Sequence, residues 1–368
     1  MIKNPECETL YLQSIKSCSA FIRNLKLLRM TLKPVSTNPG GDTTLWLNKV
    51  NNHLYKGSTD LENVLFDGTT FASYLYWDGS WKVGDNTVHI GNDAGLTNQS
   101  VSSIAIGTQA GSLNQQNSAI AIGHQAGEID QQDSSIAIGD LAGYNTQGEN
   151  AIAIGLFAGS DIQGESSVAI GLQSGSQSQG ESSVAIGFQS GYQQQSGSAI
   201  AIGNECGCFQ QQPDTVAIGY QSGNQNQAST SIAIGSQGGQ NFQRDYCIAI
   251  GESSGQHNQP RSSVAIGHKA KMLNTTTSSY GYSIAIGVEA GFSNQGSSAI
   301  AIGYRAGLSD QPSNSIILNA DSTALSPTTT TNPNPGCFIN PIRQENTLYQ
   351  SLYYDSLTKE IVYYTTTP

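Results

Sequence analysis

The stretch that decides the fold reads SVAIGLQSGSQSQGESSVAIG and occupies residues 167–187. It contains one complete 16-residue repeat and the start of the next, because the glycine that ends each SVAIG recurs 16 positions later. The same spacing continues on both sides of this stretch, with four extra residues intervening only once, within Leu273 to Tyr282. Self-similarity at a short fixed period is the signature of a solenoid. The sequence therefore predicts an all-β fold, a parallel β-solenoid of about fifteen 16-residue turns.

Two glycines in each repeat predict two tight corners. The first glycine ends the Ile-Ala-Ile-Gly motif, and the second follows four residues later in every glycine-bearing repeat except one, where Lys271 stands. Asn319 replaces the first glycine in the last turn, and Asn tolerates a left-handed backbone better than most residues do. We therefore assign a structural corner role to Gly107, Gly123, Gly139, Gly155, Gly171, Gly187, Gly203, Gly219, Gly235 and Gly251.

The residues before the first glycine alternate between β-branched residues and alanine. Ile or Val stands one and three positions before that glycine, and this period of two places both on one face of a strand. Large apolar side chains favour the interior, so we expect them to stack into a core ladder. The residues assigned to this ladder are represented by Ile104, Ile106, Ile120, Ile122, Val168 and Ile170.

The alanine between the two β-branched residues then faces outward. Two interpretations remain open: either a second chain approaches this stripe closely, or alanine is simply tolerated there. We favour an inter-chain stripe, because an extended apolar stripe is unusual on a monomer. Its first members are Ala105, Ala121, Ala137, Ala153, Ala169 and Ala185.

A glutamine follows eight residues after each first glycine, and only Thr275 breaks the series. Stacked amides hydrogen-bond along a ladder, as they do in cross-β structures. A catalytic or ligand-binding group has no need of so many copies, so we interpret the series as structural. The Gln ladder includes Gln115, Gln131, Gln147, Gln163 and Gln179.

Composition divides the chain into a repeat region with dissimilar flanks. The N-terminal flank is first basic and then contains Trp46, Trp77 and Trp81 among short strand-like runs. The predicted parts are a basic segment and linker at 1–41, an aromatic β cap at 42–86, the solenoid at 87–319, a Thr/Pro/Asn linker at 320–336 and a C-terminal β-hairpin cap at 337–368. Caps are expected because an open solenoid end exposes strand edges.

Charge and hydropathy exclude several classes of partner. The formal net charge of −11 has the wrong sign for binding nucleic acid. The first 34 residues are basic and could bind an acidic partner or a membrane surface. The alternative is a short basic helix with one face exposed to solvent. We find no secretory signal and no apolar run of about 20 residues that could span a bilayer, so we expect synthesis in a cytoplasm.

No motif indicates catalysis, a metal or a cofactor, and we expect none of the three. Glu149, Glu165 and Glu181 occupy one position in adjacent repeats, as a glycosidase pair would, but they fall at a corner where solvated acids are common. Cys206 and Cys208 lack the spacing of a zinc site, and Cys206 stands where other repeats carry Ala or Ser. We interpret Cys206 as a small side chain in a small slot.

The string Ser-Val-Ala-Ile-Gly, at 167–171, 183–187 and 263–267, is similar to the head repeats of YadA-like trimeric autotransporter adhesins. The resemblance implies a left-handed parallel β-roll and a homotrimer. The repeat is longer here than is usual in that family, and the chain shows neither an export signal nor a C-terminal membrane barrel. Its wider layout, including Ile-Asn-Pro-Ile-Arg at 339–343, looks like repeat proteins of large DNA viruses of protists and algae.

These features favour a structural fibre or spike: a homotrimer on a virion surface that acts as a rigid spacer or host-attachment head. Its expected partners are a capsid or fibre-base protein, bound through an end segment, and a host receptor or glycan. The alternative is a bacterial or phage adhesin or tail-fibre head at a cell surface. An ice-binding solenoid fits less well because the residues of the outward columns vary from turn to turn. A carbohydrate-cleaving solenoid also fits less well, because nothing in the sequence suggests a pocket.

Overall fold

A computed structural model describes residues 86–274, 281–327, 335–342, 352–355, 357–359 and 361–363, together with the strands found between 34 and 84. The chain divides into two compact units, Met1–Asp85 and Asn86–Pro368. Most of the basic N-terminal segment and residues 275–280 of the inserted loop lie outside the described residues. The described part contains no helix, and accordingly none that is long and apolar enough to cross a membrane.

The first unit contains one four-stranded sheet and one hairpin. In the sheet, the first two strands pair in parallel and the remaining neighbours are antiparallel. In the hairpin, Trp77 pairs with Trp81. The strands are β1 (Pro34–Val35), β2 (Leu45–Asn48), β3 (Leu54–Lys56), β4 (Thr59–Asp60), β5 (Tyr74–Trp77) and β6 (Trp81–Gly84).

The second unit is a parallel solenoid whose large sheet has 16 strands. Each Ile-Ala-Ile or Val-Ala-Ile motif forms one strand, and each strand pairs in register with its copy in the next turn, as Ala105 does with Ala121. The strands are β7 (Val88–Ile90), β8 (Ile104–Ile106), β9 (Ile120–Ile122), β10 (Ile136–Ile138), β12 (Ile152–Ile154), β14 (Val168–Ile170), β16 (Val184–Ile186), β18 (Ile200–Ile202), β20 (Val216–Ile218), β22 (Ile232–Ile234), β23 (Ile248–Ile250), β24 (Val264–Ile266), β25 (Ile284–Ile286), β26 (Ile300–Gly303), β27 (Ile316–Asn319) and β28 (Cys337–Asn340).

A second sheet of six strands runs through the middle turns. Single parallel bridges, such as Thr97 with Leu113 and Ser293 with Ser309, continue the same pairing toward both ends. Its strands are β11 (Thr146–Gln147), β13 (Ile162–Gln163), β15 (Gln177–Gln179), β17 (Gln193–Gln195), β19 (Phe209–Gln211) and β21 (Gln225–Gln227). The predicted all-β parallel solenoid is thus confirmed, with about 14 turns.

The corner glycines hold conformations and positions that a side chain would disturb. Gly171 has a φ of +127°, and a Cβ built on it would lie 2.5 Å from the carbonyl oxygen of Gly187 in the next turn. Gly175 has a φ of +55°, and its Cβ would lie 2.7 Å from the side-chain oxygen of Gln179. The first glycine therefore permits backbones to stack, while the second leaves room for a buried amide.

The C-terminal part differs from the predicted boundaries. Strand β28 was assigned to the hairpin cap, but it pairs in parallel with β27 and extends the large sheet. The hairpin itself consists of β29 (Leu352–Tyr354) and β30 (Ile361–Tyr363), which are antiparallel. The large sheet therefore ends at Asn340, beyond the Thr/Pro/Asn segment.

Candidate interchain face

The side chains of the large sheet point in the opposite directions from those predicted. In every alanine-bearing repeat the alanine is the buried residue, and the β-branched residues beside it are partly or largely exposed. The assignment of a core ladder to Ile104, Ile106, Ile120, Ile122, Val168 and Ile170 is therefore wrong. These side chains lie on the outer surface of the solenoid.

The alanine stripe is likewise misplaced in the prediction. Ala105, Ala121, Ala137, Ala153, Ala169 and Ala185 are all completely buried within their own chain. Neither interpretation of an outward alanine holds, because no second chain can reach these residues. They form the core of the solenoid together with a second buried column at the corner, which includes Ala110, Ala126 and Ser174.

The interior is narrow because the glutamines of the second sheet occupy it. A Cβ on Gly175 would lie 3.3 Å from the Ala169 methyl carbon as well as touching Gln179, so these three positions meet inside one turn. Gln179 is fully enclosed and donates from Nε2 to the Val168 carbonyl oxygen at 2.9 Å. Within the alanine-bearing turns an isoleucine in this position would overfill the space, which is why the large residues point outward. In the last turn Ile317 takes the buried position.

The glutamine side chains form a hydrogen-bonded column along the solenoid. Gln115 donates to the Oε1 of Gln131 at 3.0 Å, and Gln131 donates to Gln147 at 3.1 Å. Each amide also donates to a backbone carbonyl of the large sheet, as Gln131 does to Ile120 at 2.8 Å. The column thus joins the two sheets and satisfies most of its buried amide groups, although the Oε1 of Gln243 has no partner among the described residues.

The outward β-branched residues of strands β7 to β27 form two parallel columns, which we call the Ile/Val face. Because the strands pair in register, Ile stacks on Ile or Val in successive turns without a polar break. Ile138, Ile154 and Ile202 are each 36% exposed, and Ile90 at the first turn is 55% exposed. A contiguous apolar surface of this length marks an interaction site on a soluble protein.

Further apolar side chains border this face in the middle turns. Leu156, Leu172 and Phe188 follow the corner glycine in three consecutive repeats and are about 40% exposed. They stand in the column that holds Asp140 one turn earlier and Asn204 one turn later. The apolar surface is therefore widest over these three turns.

Lys271 replaces a corner glycine and is almost fully buried. Its Nζ donates to the Ser283 hydroxyl at 2.7 Å and to the Oε1 of Gln295 at 3.2 Å. In most other turns the Oε1 of such a glutamine accepts a hydrogen bond from the glutamine one turn earlier. The turn before Gln295 carries Thr275 at that position, and Lys271 is the donor instead. Burial lowers the pKa of Lys271 to about 8, although the nearby Cys247 opposes the shift.

Three cysteines of the solenoid are buried packing residues, whereas Cys337 on β28 is exposed. Cys206 is completely buried in the corner column otherwise occupied by Ala, Ser and, once, Gly238, and burial raises the pKa of its thiol to about 12. Burial likewise raises the pKa of Cys208 to about 12, with a contribution from Glu205. A thiol this resistant to ionisation is a poor nucleophile and a poor metal ligand at neutral pH.

The remaining candidate residues do not gather into a site. Glu149, Glu165 and Glu181 are all exposed at the corner, as the sequence suggested. Among the residues that the structure describes, no group of three or more His, Cys, Asp or Glu side chains could hold a metal ion. The Ile/Val face is thus the strongest candidate for function, and the period-two pattern located it while its orientation was misjudged.

One family model matches this chain, the YadA head domain repeat, in two copies at residues 147–174 and 163–190. The solenoid thus contains YadA-like head repeats. The matched copies begin at a buried glutamine and include strands β14 and β16 of the large sheet. No curated protein and no solved structure matches the chain significantly.

The YadA-like repeats and their geometry agree on a coarse function. Head repeats of this kind imply an adhesin-like fibre or head at the surface of a cell or particle. The exposed Ile/Val face lies on one of the two sheets, the large one.

Proposed function

We propose that the chain assembles as a homotrimeric adhesin-like fibre or head, in which the Ile/Val faces of three copies pack together. The observation that carries this proposal is the outward orientation of Ile and Val on strand after strand of the large sheet. Burying one such side chain contributes roughly 1.5–3 kcal/mol. A surface that repeats this gain along the whole solenoid supports a permanent rather than a transient assembly.

Three-fold assembly explains why the interior of a single chain is so poor in large apolar residues. A core made of Ala, Ser and Gln buries little apolar area per residue, which leaves an isolated chain short of hydrophobic stabilisation. Packing three Ile/Val faces about one axis supplies the missing core. In this proposal the main hydrophobic core lies between chains.

The assembly state tests the proposal directly. Native mass spectrometry of the full chain is expected to return a trimer. Replacing three residues of the Ile/Val face, as Ile138→Asp, Ile154→Asp and Ile170→Asp together, places nine carboxylates in the shared core and is expected to yield monomers.

The matched control changes three aliphatic residues of the second sheet and its continuation, Leu113→Asp, Ile129→Asp and Ile162→Asp. Ile162 is 51% exposed, more than Ile154, but it lies on the other sheet. This control is expected to remain trimeric. A monomeric wild-type chain, or equal dissociation of both triple variants, contradicts the proposal.

We further propose that the fibre is a virion surface component that serves as a rigid spacer or host-attachment head. Support comes from the wider sequence layout, and a capsid or fibre-base protein would then hold one end. Immunogold labelling of intact source particles is expected to decorate their surface. Labelling of a cell envelope would instead favour the bacterial adhesin.

A further inference from the structure

The second sheet carries an open groove on its outer surface, away from the Ile/Val face. The groove has a volume of about 510 Å³ and crosses strands β15, β17, β19 and β21. This volume falls within the range of small-ligand sites. The side chains that matter for its chemistry are Phe209, Gln193, Gln194, Gln210, Gln225 and Asn226.

Six amide side chains line this groove, and five of them are unused by the fold; the sixth, Gln177, donates to the Tyr192 hydroxyl at 3.4 Å. In the turns that the structure describes, the side chains of Gln193, Gln194, Gln210, Gln225 and Asn226 make no hydrogen bond to another residue. Each amide supplies both a carbonyl acceptor and two N–H donors. Five such groups in one groove provide many directed hydrogen bonds to a ligand.

Equivalent positions elsewhere in the solenoid behave differently. Near the first turns, Asn98 donates to Asn114 at 2.8 Å and Asn114 donates to Asp130 at 2.8 Å. Near the last turns, Asn294 donates to Asp310 at 3.1 Å. At these positions outside the groove the outward side chains pair with one another along the column, whereas the five amides inside the groove remain available.

Phe209 introduces an aromatic ring into an otherwise polar column. It pairs in register between Gln193 and Gln225, and it is 38% exposed. The interior packing does not require this ring, because the residue points away from the core. A flat apolar ring beside free amides is an arrangement that contacts a molecule with one apolar face and polar edges.

From this groove we infer a binding site for a neutral oligosaccharide. None of the groove residues is ionisable, which disfavours phosphate, acidic sugars and charged peptides. The hydroxyl groups of a sugar can both donate to and accept from amides, while its C–H face can lie on Phe209. Strands about 4.8 Å apart repeat the amides along the solenoid, so successive sugar units meet equivalent partners.

This inference rests on the proposed function, because it names the ligand that an adhesin-like head would attach to. Inside each turn the Gln column faces the Ala column, so the outer surfaces of the two sheets look in opposite directions. Packing through the Ile/Val face therefore leaves the groove open in each of three copies. Three equivalent grooves convert weak individual binding into avidity on a glycan-coated surface.

The test uses the full-length trimer and an array of short neutral oligosaccharides: gluco-, manno-, galacto- and N-acetylglucosamine tetrasaccharides. At least one is expected to bind, with an affinity unchanged between low and high salt because the ligand is neutral. Phe209→Ala is expected to weaken that binding about three- to tenfold in isothermal titration. Gln194→Ala combined with Gln210→Ala is expected to weaken it by about tenfold or more.

Phe157→Ala is the matched control. Phe157 is also a phenyl ring, 37% exposed against 38% for Phe209, but it lies at the corner after strand β12 and not in the groove. The variant is expected to bind the same tetrasaccharide as the wild type does. No neutral tetrasaccharide bound by an intact trimer, binding of acidic sugars or peptides only, or equal losses for Phe209→Ala and Phe157→Ala would each overturn the inference. Native mass spectrometry of the same samples tests the trimer separately.

Discussion

The outward side chains of the large sheet are Ile or Val in strand after strand, whereas those of the second sheet change from turn to turn. Both sheets have the same parallel register and similar strand lengths. Their inner columns are both nearly uniform, since Ala and Gln meet inside most turns, with His89, Ile317 and Thr275 at these positions among the exceptions. Backbone geometry therefore leaves the outer columns free, and an outer column is uniform only where something else constrains it.

This difference shows that a column of identical residues indicates a contact surface. It does not show whether the contact is within the chain or with another molecule. The Ala and Gln columns are uniform because one chain packs against itself. The Ile/Val columns are equally uniform although no other residue that the structure describes in the solenoid unit covers them. A solenoid therefore needs its buried and exposed columns measured before a repeated residue is assigned to its core.

The largest effect is expected from the inner glutamine column. Gln179→Ala removes donors to the Val168 carbonyl and to Gln195, and it leaves a cavity. Unpaired buried groups and the cavity together cost about 2–5 kcal/mol. Chemical unfolding followed by circular dichroism measures this loss. Gln177→Ala on the same strand, but facing outward, is expected to change stability by less than about 0.5 kcal/mol. Similar losses for both variants would erase the distinction between inner and outer columns.

The next effect concerns the one turn where the glutamine column is interrupted. The pKa of Lys271 is about 8 when folded, against an ordinary value of 10.5, so the unfolded chain binds more protons between these two pH values. Stability is therefore expected to rise by about 3 kcal/mol as the pH increases from 8 to 10.5. Below pH 8 both states are protonated, and the full cost of the buried ammonium remains.

Lys271→Met serves as the reference for this pH dependence. The variant keeps an unbranched side chain but has no proton to lose, so the difference between the two pH profiles isolates Lys271 from tyrosines and thiols. Unfolding midpoints measured across the range are expected to converge with the variant at high pH. Parallel profiles for the two proteins would show that Lys271 does not titrate in this range.

The smallest effect separates the two faces of the large sheet. Ala169→Leu forces three extra carbons into an interior that Gln179 already fills, and overpacking of this kind costs about 1–3 kcal/mol. Val168→Leu on the outer face is expected to cost less than about 1.5 kcal/mol. Thermal unfolding of both variants ranks them. A greater loss from Val168→Leu would indicate that the packing between chains is tighter than the packing within them.

The sequence was sufficient for the solenoid because its signals are local and repeated. Glycine at a fixed spacing predicted corners, and a run such as Ile104-Ala105-Ile106 predicted a short strand with two faces. Which face is inside was not predictable from these residues alone. Hydrophobicity alone predicts that Ile is buried. Here the opposing glutamine limits the space inside a turn, and this limit determines which face of the strand is buried.

The groove and the end of the large sheet escaped prediction for other reasons. Phe209 interrupts a variable column, and a single aromatic residue carries no periodic signal. Strand β28 follows a Thr/Pro/Asn segment that reads as a linker, so its pairing with β27 depends on contacts between positions distant in sequence. Periodicity predicts what each turn shares and is silent about where turns differ.

Because the turns pair in register, the length of the solenoid is set by the number of turns. Because Ala105 pairs with Ala121 and the later turns repeat that match up to Ala301, removing or inserting 16 residues among these turns would again pair alanine with alanine. Each such event alters the length by about 4.8 Å. Because near-identical coding repeats recombine readily, the solenoid can gain or lose whole turns during evolution while both ends of the molecule stay the same.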